Sequence, residues 1–312
     1  WVLSGEKVSE FTNATTTQML DPRTGDWALS LLDRFSLPSG ILQPVTAAGT
    51  VLGPLRRSVA ETTGLRDVNV VLPGTHDTAS AVMAVPVDAE TQSSGSWCYI
   101  SSGTWSLMGM EIPQPVINDR CLQLNFTNEG GVGQTVRLLK NIAGLWLVQQ
   151  CRAAWASEQE YSWEQLIEMA RESEPGICLI DPDDACFVAP RDMPTAIQQF
   201  CQESSQPVPE TKGAVIRCAL ESLALRYRTV LQSLEDLSGQ SIETIHIVGG
   251  GSRNRLLCQM TADACNRTVI AGPVEATAIG NLMMQLVAAG AVASISEARE
   301  VVRASFEVEQ YI

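Results

Sequence analysis

An α/β fold follows from three stretches of the sequence. At 70–80 the apolar run Val70-Val71-Leu72 stops at Pro73-Gly74, and the polar triplet His76-Asp77-Thr78 precedes the small residues Ala79, Ser80 and Ala81. This reads as a buried strand, a tight turn and the start of a helix. At 242–257 the run Ile242–Val248 passes directly into Gly249-Gly250-Gly251-Ser252-Arg253-Asn254 and then Leu256-Leu257, again strand, glycine turn and helix. At 97–109 a strand of aromatic and β-branched residues, Trp97–Ile100, meets a Gly103-Thr104 turn and a second strand, which makes a hairpin.

The remaining elements follow in order. Asp21-Pro22 and Thr24-Gly25 mark turns, and a helix is expected from Trp27 to Phe35, ended by Pro38-Ser39-Gly40. A short helix near 54–63 stops at Gly64, and the strand of residues 68–72 leads to Asp77. A helix over about 78–85 follows, then a loop over 88–95 of polar and small residues that suits a domain boundary. The segment Thr127–Gly131 reads as a second polar turn. A helix is expected beyond it, carrying Asn141 and Gln149 two turns apart on one face. Those two amides line a cleft or face solvent. Residues 152–212 read as mostly helical and polar, with a solvated turn at Asp181-Pro182-Asp183-Asp184. The apolar residues Ile216, Leu220, Leu223, Tyr227, Val230, Leu234 and Leu237 recur at spacings of three and four, so 213–237 is a long core-facing helix ended by Ser238-Gly239. The end of the chain holds a strand at 268–270, a Gly272-Pro273 turn and a helix at 275–289. Ala276, Ala278 and Gly280 keep one face of that helix small enough for close packing.

Composition narrows the function. The 312 residues, 45% apolar, suffice for two ordinary domains or one large one. No apolar run reaches the roughly 18 residues of a membrane span. The formal net charge of −14 disfavours partnership with nucleic acid or an anionic membrane. An acidic protein that handles phosphates relies on backbone N–H groups, helix N-termini and a metal ion. The nine cysteines are scattered without a C-x-x-C pair, so zinc and redox motifs are absent, and most read as small core residues in a reducing cytosol. His76 and His246 are the only histidines, and His246 alternates with isoleucines in a strand, as a core histidine would. The chain opens at Trp1 with no signal-peptide pattern, so it is expected to be an internal piece of something longer.

Asp77 stands where open α/β sheets bind ligands, at the carboxyl end of a strand, and is a candidate general base. Asp is also a favoured helix N-cap, so the triplet alone reads either way. The Gly103-Thr104 turn exposes N–H groups beside hydroxyls, a means of holding phosphate oxygens that an ordinary hairpin also offers. The triple glycine is neither a dinucleotide fingerprint, because Asn254 replaces the third glycine, nor a Walker A loop, because no Gly-Lys-Ser/Thr follows.

Taken in order, the blocks Ser4–Thr16, Pro73–Ser80, Ser101–Ser106, Thr127–Gly131, Leu139–Ile142, Ile247–Gly251 and Ala271–Ala276 resemble the carbohydrate kinases of the FGGY family. These belong to the ribonuclease-H-like superfold shared by sugar kinases, hsp70 and actin. Within the family the chain is most similar to bacterial kinases of L-rhamnulose. The resemblance implies two α/β domains with ATP and a small sugar in the cleft between them. Residues 1–85 would be the remainder of a first, sugar-binding domain and 86–312 a second, nucleotide-binding one. It makes Asp77 the base for the sugar's primary hydroxyl, with His76, Thr78 and Asn141 against the sugar. Gly103 and Thr104 would hold the ATP phosphates, and Gln149, Gly249, Gly250, Gly251 and Asn254 the nucleotide, with Mg2+ bridging phosphates through ligands that the sequence leaves unassigned. The family's first phosphate hairpin, with its metal-holding Asp, is expected upstream of Trp1, so this chain alone is expected to turn over little. A kinase of another ketose or polyol, such as L-fuculose or D-xylulose, and a non-catalytic nucleotide-binding module of the same superfold are the competing expectations. Oligomeric state is left open.

Overall fold

The computed structural model describes residues 1–312. Seven strands carry the central topology: β1 Trp97–Ser102, β2 Ser106–Ile112, β3 Thr127–Gly130, β4 Val136–Ile142, β5 Thr244–Val248, β6 Thr268–Ala271 and β7 Glu309–Tyr311. The principal helices are α1 Asp77–Met83, α2 Trp146–Trp155, α3 Trp163–Glu172, α4 Lys212–Ser238, α5 Arg255–Cys265, α6 Ala276–Ala288 and α7 Ile295–Ser305. The chain divides into two compact units: residues 1–95, 110–139 and 275–307 form one, and residues 96–109, 140–274 and 308–312 the other.

In the first unit the strand ahead of Asp77 is short, Asn69–Val71, and pairs antiparallel with Val51–Pro54. Its residues are exposed or half-buried rather than buried, which corrects the expectation of a core strand; only this one neighbour pairs with it. Helix α1 is apolar and small, and Ala79–Met83 are buried. It packs on α6 because Gly280 has no side chain, so the α6 backbone lies against the Ser80 carbonyl, where a Cβ would overlap it. The small face expected of α6 is used as such. Arg299 of α7, 1% exposed, donates to Glu111 Oε2 at 2.6 Å and to the Val82 carbonyl at 3.2 Å. The loop expected at 88–95 holds the helix Ala89–Ser94, because Asp88 Oδ1 caps it by accepting Thr91 N–H at 2.8 Å.

Thr127–Gly130 is a strand and not a turn. It pairs antiparallel with β4, Val136 opposite Gly130 and Leu139 opposite Thr127. The helix expected to carry both Asn141 and Gln149 is therefore two elements: Asn141 ends β4, and Gln149 lies in α2. The sequence Leu138-Leu139-Lys140 favours helix locally, but the ladder to β3 overrides that preference. Gly144 separates the two, with φ +56° and its α-carbon packed on the Trp105–Ser106 backbone, a site that tolerates no side chain.

In the second unit β5 pairs parallel with both β1 and β6, β7 pairs antiparallel with β6, and β1 forms the expected hairpin with β2, Ser102 opposite Ser106. Helix α4 runs 27 residues between a Thr211 N-cap and Gly239 in the left-handed region. Ile216, Leu220, Leu223, Tyr227, Val230 and Leu234 are buried in the stripe that the spacing predicts. The Tyr227 hydroxyl meets Ser106 Oγ at 2.7 Å in the core. In the acidic turn Asp181 and Asp184 are exposed as expected, but Asp183 is engaged: it accepts Ala143 N–H at 2.9 Å and Arg226 Nε at 2.8 Å, tying the entry of α2 to α4. Eight of the nine cysteines are buried and all are free; the Sγ atoms of Cys178, Cys201 and Cys218 converge within 4.8 Å, a cluster that their spacing does not reveal. His246 is 2% exposed, its ring edge-on to Trp97. No helix is long and apolar enough to cross a membrane.

Candidate active site

The first unit fixes the turn before Asp77 from several sides. Glu10, 5% exposed, accepts from Thr12 N at 2.9 Å and Oγ1 at 2.5 Å, Asn13 N at 3.3 Å, and Thr75 N at 3.0 Å and Oγ1 at 2.7 Å. His76 N–H donates to Thr12 Oγ1 at 3.1 Å, and Ser80 Oγ donates to the Gly74 carbonyl at 2.7 Å. A buried carboxylate satisfied by this many donors holds its loop tightly. Neither the burial nor the bonding of Glu10 is visible in the sequence, where it follows Ser9 as an ordinary surface acid would.

Asp77 is the first residue of α1, and His76, not Asp77, occupies the cap position. The Asp77 side chain is 79% exposed, so it is presented to solvent and not buried. Its Oδ1 accepts Thr78 N–H at 2.6 Å and lies 3.3 Å from Thr78 Oγ1, which orients the carboxylate. His76 is mostly buried. Its Nε2 lies 3.8 Å from Asp77 Oδ1, and its Nδ1 meets Arg137 Nη2 at 3.1 Å. Arg137, with a fully buried side chain, also donates from Nη2 to Glu129 Oε2 at 3.1 Å and from Nε to the Gly130 carbonyl at 3.0 Å. Burial first, then the Arg137 guanidinium, pushes the His76 pKa below its usual value, against the opposing pull of Glu129, Asp77 and Glu10. Arg137 was missed in the sequence, although a lone cation between Val136 and Leu138 is a signal that a strand interior holds a partner for it.

In the second unit Gly103, Gln149, Gly250, Gly251 and Asn254 line one cavity of about 570 Å³. The β1–β2 turn supplies Gly103, α2 supplies Gln149 with Leu145 and Val148, and the glycine turn after β5 closes the far side. The three glycines do different things. Gly249 has φ +85°, and a Cβ there would sit 2.9 Å from the Ser102 carbonyl; one on Gly251 would overlap the Ser102 side chain; one on Gly250 would meet nothing. Gly249 and Gly251 thus seat the turn on the end of β1, while Gly250 leaves its backbone open. Gly249 does not line the cavity. Asn254 does, but its Oδ1 already caps α5 by accepting Leu257 N–H at 3.1 Å. Thr104 is exposed beside the cavity, outside its lining, and its carbonyl accepts Trp146 N–H at 2.8 Å at the start of α2. Asn141 is exposed at the end of β4 and does not line it.

Helix α3 adds residues that the sequence reading did not single out. Trp163, Ile167 and Arg171 recur every four residues and face the cavity together, and Arg253 and Arg255 border its glycine side. Arg152 lies over the Trp163 ring, 4.5 Å from its centroid. The i, i+4, i+8 spacing was the available signal. Glu164 and Glu168 line the cavity as well, and Arg171 pairs with Glu168 and Arg255 with Glu309, so an apolar face meets a border of mixed charge and open main chain.

Residues 1–84 match the N-terminal domain of the FGGY family of carbohydrate kinases, and residues 98–289 match its C-terminal domain. The chain belongs to the FGGY family of carbohydrate kinases. It is 44% identical over 311 residues to a rhamnulokinase of Bacteroides thetaiotaomicron, covering 100% of this chain and 62% of that protein. A rhamnulokinase of Bacillus subtilis is 42% identical over 311 residues, covering 100% and 63%. The chain thus spans about three fifths of the length of the curated relatives it matches. Among solved structures, a ligand-bound xylulose kinase from Lactobacillus acidophilus superposes with a TM-score of 0.76 at 15% identity, covering 99% of this chain and 60% of that one. Plasmodium falciparum glycerol kinase with ADP gives a TM-score of 0.73 at 14% identity, with the same two shares. The fold is that of these sugar and glycerol kinases.

Proposed function

We propose that the protein transfers the γ-phosphoryl group of ATP to the primary hydroxyl of L-rhamnulose, giving L-rhamnulose 1-phosphate, a step of L-rhamnose catabolism in the cytoplasm. One observation carries the reading: an oriented, solvent-facing carboxylate, Asp77, stands on a turn held rigidly by Glu10, in a chain more than 40% identical to rhamnulokinases. In this reading residues 1–85 are the remainder of the sugar-binding domain and 86–312 the nucleotide-binding domain.

Asp77 takes the hydroxyl proton as the O–P bond forms and the bond to the β-phosphate oxygen breaks, and ADP leaves. Thr78 N–H holds Oδ1, which fixes the carboxylate and leaves it open to that proton. His76, Thr78 and Asn141 contact the sugar. Gly103 and Thr104 lie at the ATP phosphates, and Gly249, Gly250, Gly251, Gln149 and Asn254 at the nucleotide; the Gly103 and Gly249 N–H groups already donate to the Trp105 and Pro273 carbonyls, at 2.9 and 3.2 Å, so those two contribute close backbone approach and not a donor. Positioning supplies most of the rate, because a loose phosphoryl-transfer transition state leaves little covalent work to the protein.

Magnesium accompanies ATP in this reading. The chain's own donors do not form a cage for it: the one cluster of three candidate ligands is the thiol group Cys178, Cys201 and Cys218, whereas Mg2+ takes oxygen ligands. No step is therefore assigned to the ion.

The test is an ADP-release assay on the full-length gene product that carries this chain, offered L-rhamnulose, L-fuculose, D-xylulose and no sugar. Selective turnover of L-rhamnulose is expected. Equal or better use of another ketose reassigns the substrate, and nucleotide binding without turnover of any sugar supports the non-catalytic alternative.

A further inference from the structure

We propose that Arg137 is a positioning residue that locks His76 as its Nε2–H tautomer, so that His76 presents a hydrogen-bond donor beside the Asp77 carboxylate. The inference starts from what a guanidinium can do. It has five N–H donors, no acceptor, and does not deprotonate in proteins. Arg137 Nη2 lies 3.1 Å from His76 Nδ1, so Nδ1 must offer its lone pair. The ring proton of neutral imidazole is then on Nε2. That nitrogen is 3.8 Å from Asp77 Oδ1, too far for a direct hydrogen bond and close enough for one hydroxyl oxygen to touch both groups.

Arg137 cannot turn away. Glu129 Oε2 and the Gly130 carbonyl take its Nη2 and Nε protons, and its side chain is fully buried. Its Nη1 is buried without a hydrogen-bond partner. A buried cation with an unpaired Nη1 group is a costly way to fill a core, so this placement is better explained by the histidine it orients. The charged groups facing the ring are Arg137, Glu129, Asp77 and Glu10. Protonating His76 would set Nδ1–H against the Arg137 donor and a cation beside a cation, and the ring is held neutral by burial and by Arg137 together.

The consequence for the reaction rests on the function proposed above: Nε2–H donates to a sugar oxygen at the reacting end of the substrate while Asp77 takes the proton. A histidine in the other tautomer, or protonated at Nδ1, would lose the Arg137 contact and the fixed direction of that donor.

The chain has two histidines, which makes the test direct. Two-bond proton–nitrogen correlation spectra of the 15N-labelled protein, assigned with His76→Gln, report each ring nitrogen's protonation without any need for activity. The expected spectrum has a protonated-type Nε2 and an unprotonated-type Nδ1 at His76, persisting as pH falls below the usual histidine range. A proton on Nδ1 overturns the proposal. Arg137→Met should let the two tautomers mix, raise the His76 pKa and increase KM for L-rhamnulose about tenfold, the worth of one lost hydrogen bond, with KM for ATP unchanged. Arg137→Lys, which keeps a donor, should restore part of the tautomer preference. An unaltered His76 spectrum in folded Arg137→Met also overturns it. If the spectra are as expected but no sugar is phosphorylated, the proposed function fails and the tautomer assignment stands.

Discussion

Asp77 and Glu10 divide the work of one site between an exposed acid and a buried one. Asp77 makes no side-chain hydrogen bond outside its own turn, and only its carbonyl is reached from elsewhere, by Thr277 Oγ1, so its side chain contributes little to the fold. Glu10 is the opposite: the Glu10→Gln substitution turns an amide N–H toward donors that now meet a carboxylate. It should cost about 1–3 kcal/mol in denaturant unfolding and lower turnover through the loosened Thr75–His76 turn. His76 brings a pH dependence. Its folded pKa lies below its unfolded value, so the unfolded state binds more protons in between. Its contribution to stability is therefore complete above about pH 6.5 and is lost as pH falls from there through the lowered folded value. Thermal unfolding between pH 7.5 and 5 should show this loss, and His76→Gln should flatten that part of the curve; an unchanged slope would contradict the assignment.

At the scale of elements, the glycine turn after β5 separates folding from binding. Gly250→Ala adds a methyl into open space and should leave the melting temperature nearly unchanged while weakening ATP binding. Gly251→Ala drives a Cβ into Ser102 and should cost about 1–3 kcal/mol of stability. Calorimetric ATP titration beside thermal melts distinguishes the two; equal destabilisation would contradict this division. Gly280→Val, placed against the Ser80 carbonyl, should separate α1 from α6 and destabilise by more than Gly251→Ala, because backbone and not a rotatable side chain opposes it. These elements also mark what the sequence could say. The hairpin, the long α4 stripe and the strand–glycine–helix unit around β5 were legible because apolar period and glycine placement are local signals. The strands β3 and β4 were not, because Thr127-Asn128-Glu129-Gly130 and Leu138-Leu139-Lys140 carry turn and helix preferences that only their mutual pairing overrides. Five of the nucleotide-side residues named from sequence line the cavity, while Asn141 does not, its expected helix being a strand end. Arg137, Glu10 and the α3 face escaped because their partners lie far away in the chain.

For the whole molecule, the two compact units hold the two features that the proposed function uses, an exposed acid in one and a cavity bordered by glycines and arginines in the other, and both units include residues matched by one kinase family. Under the proposed function, the formal charge of −14 calls for local devices at a polyanionic nucleotide; Arg253 borders the cavity beside open main chain, while Arg171 and Arg255 are paired with Glu168 and Glu309. The most direct measurement is steady-state phosphorylation of L-rhamnulose by the full-length gene product, compared with its Asp77→Asn form, with ATP affinity measured on both. Loss of a positioned general base predicts a fall in kcat of about 10²–10⁴-fold with ATP affinity and melting temperature unchanged. Turnover that survives the substitution intact would contradict the account.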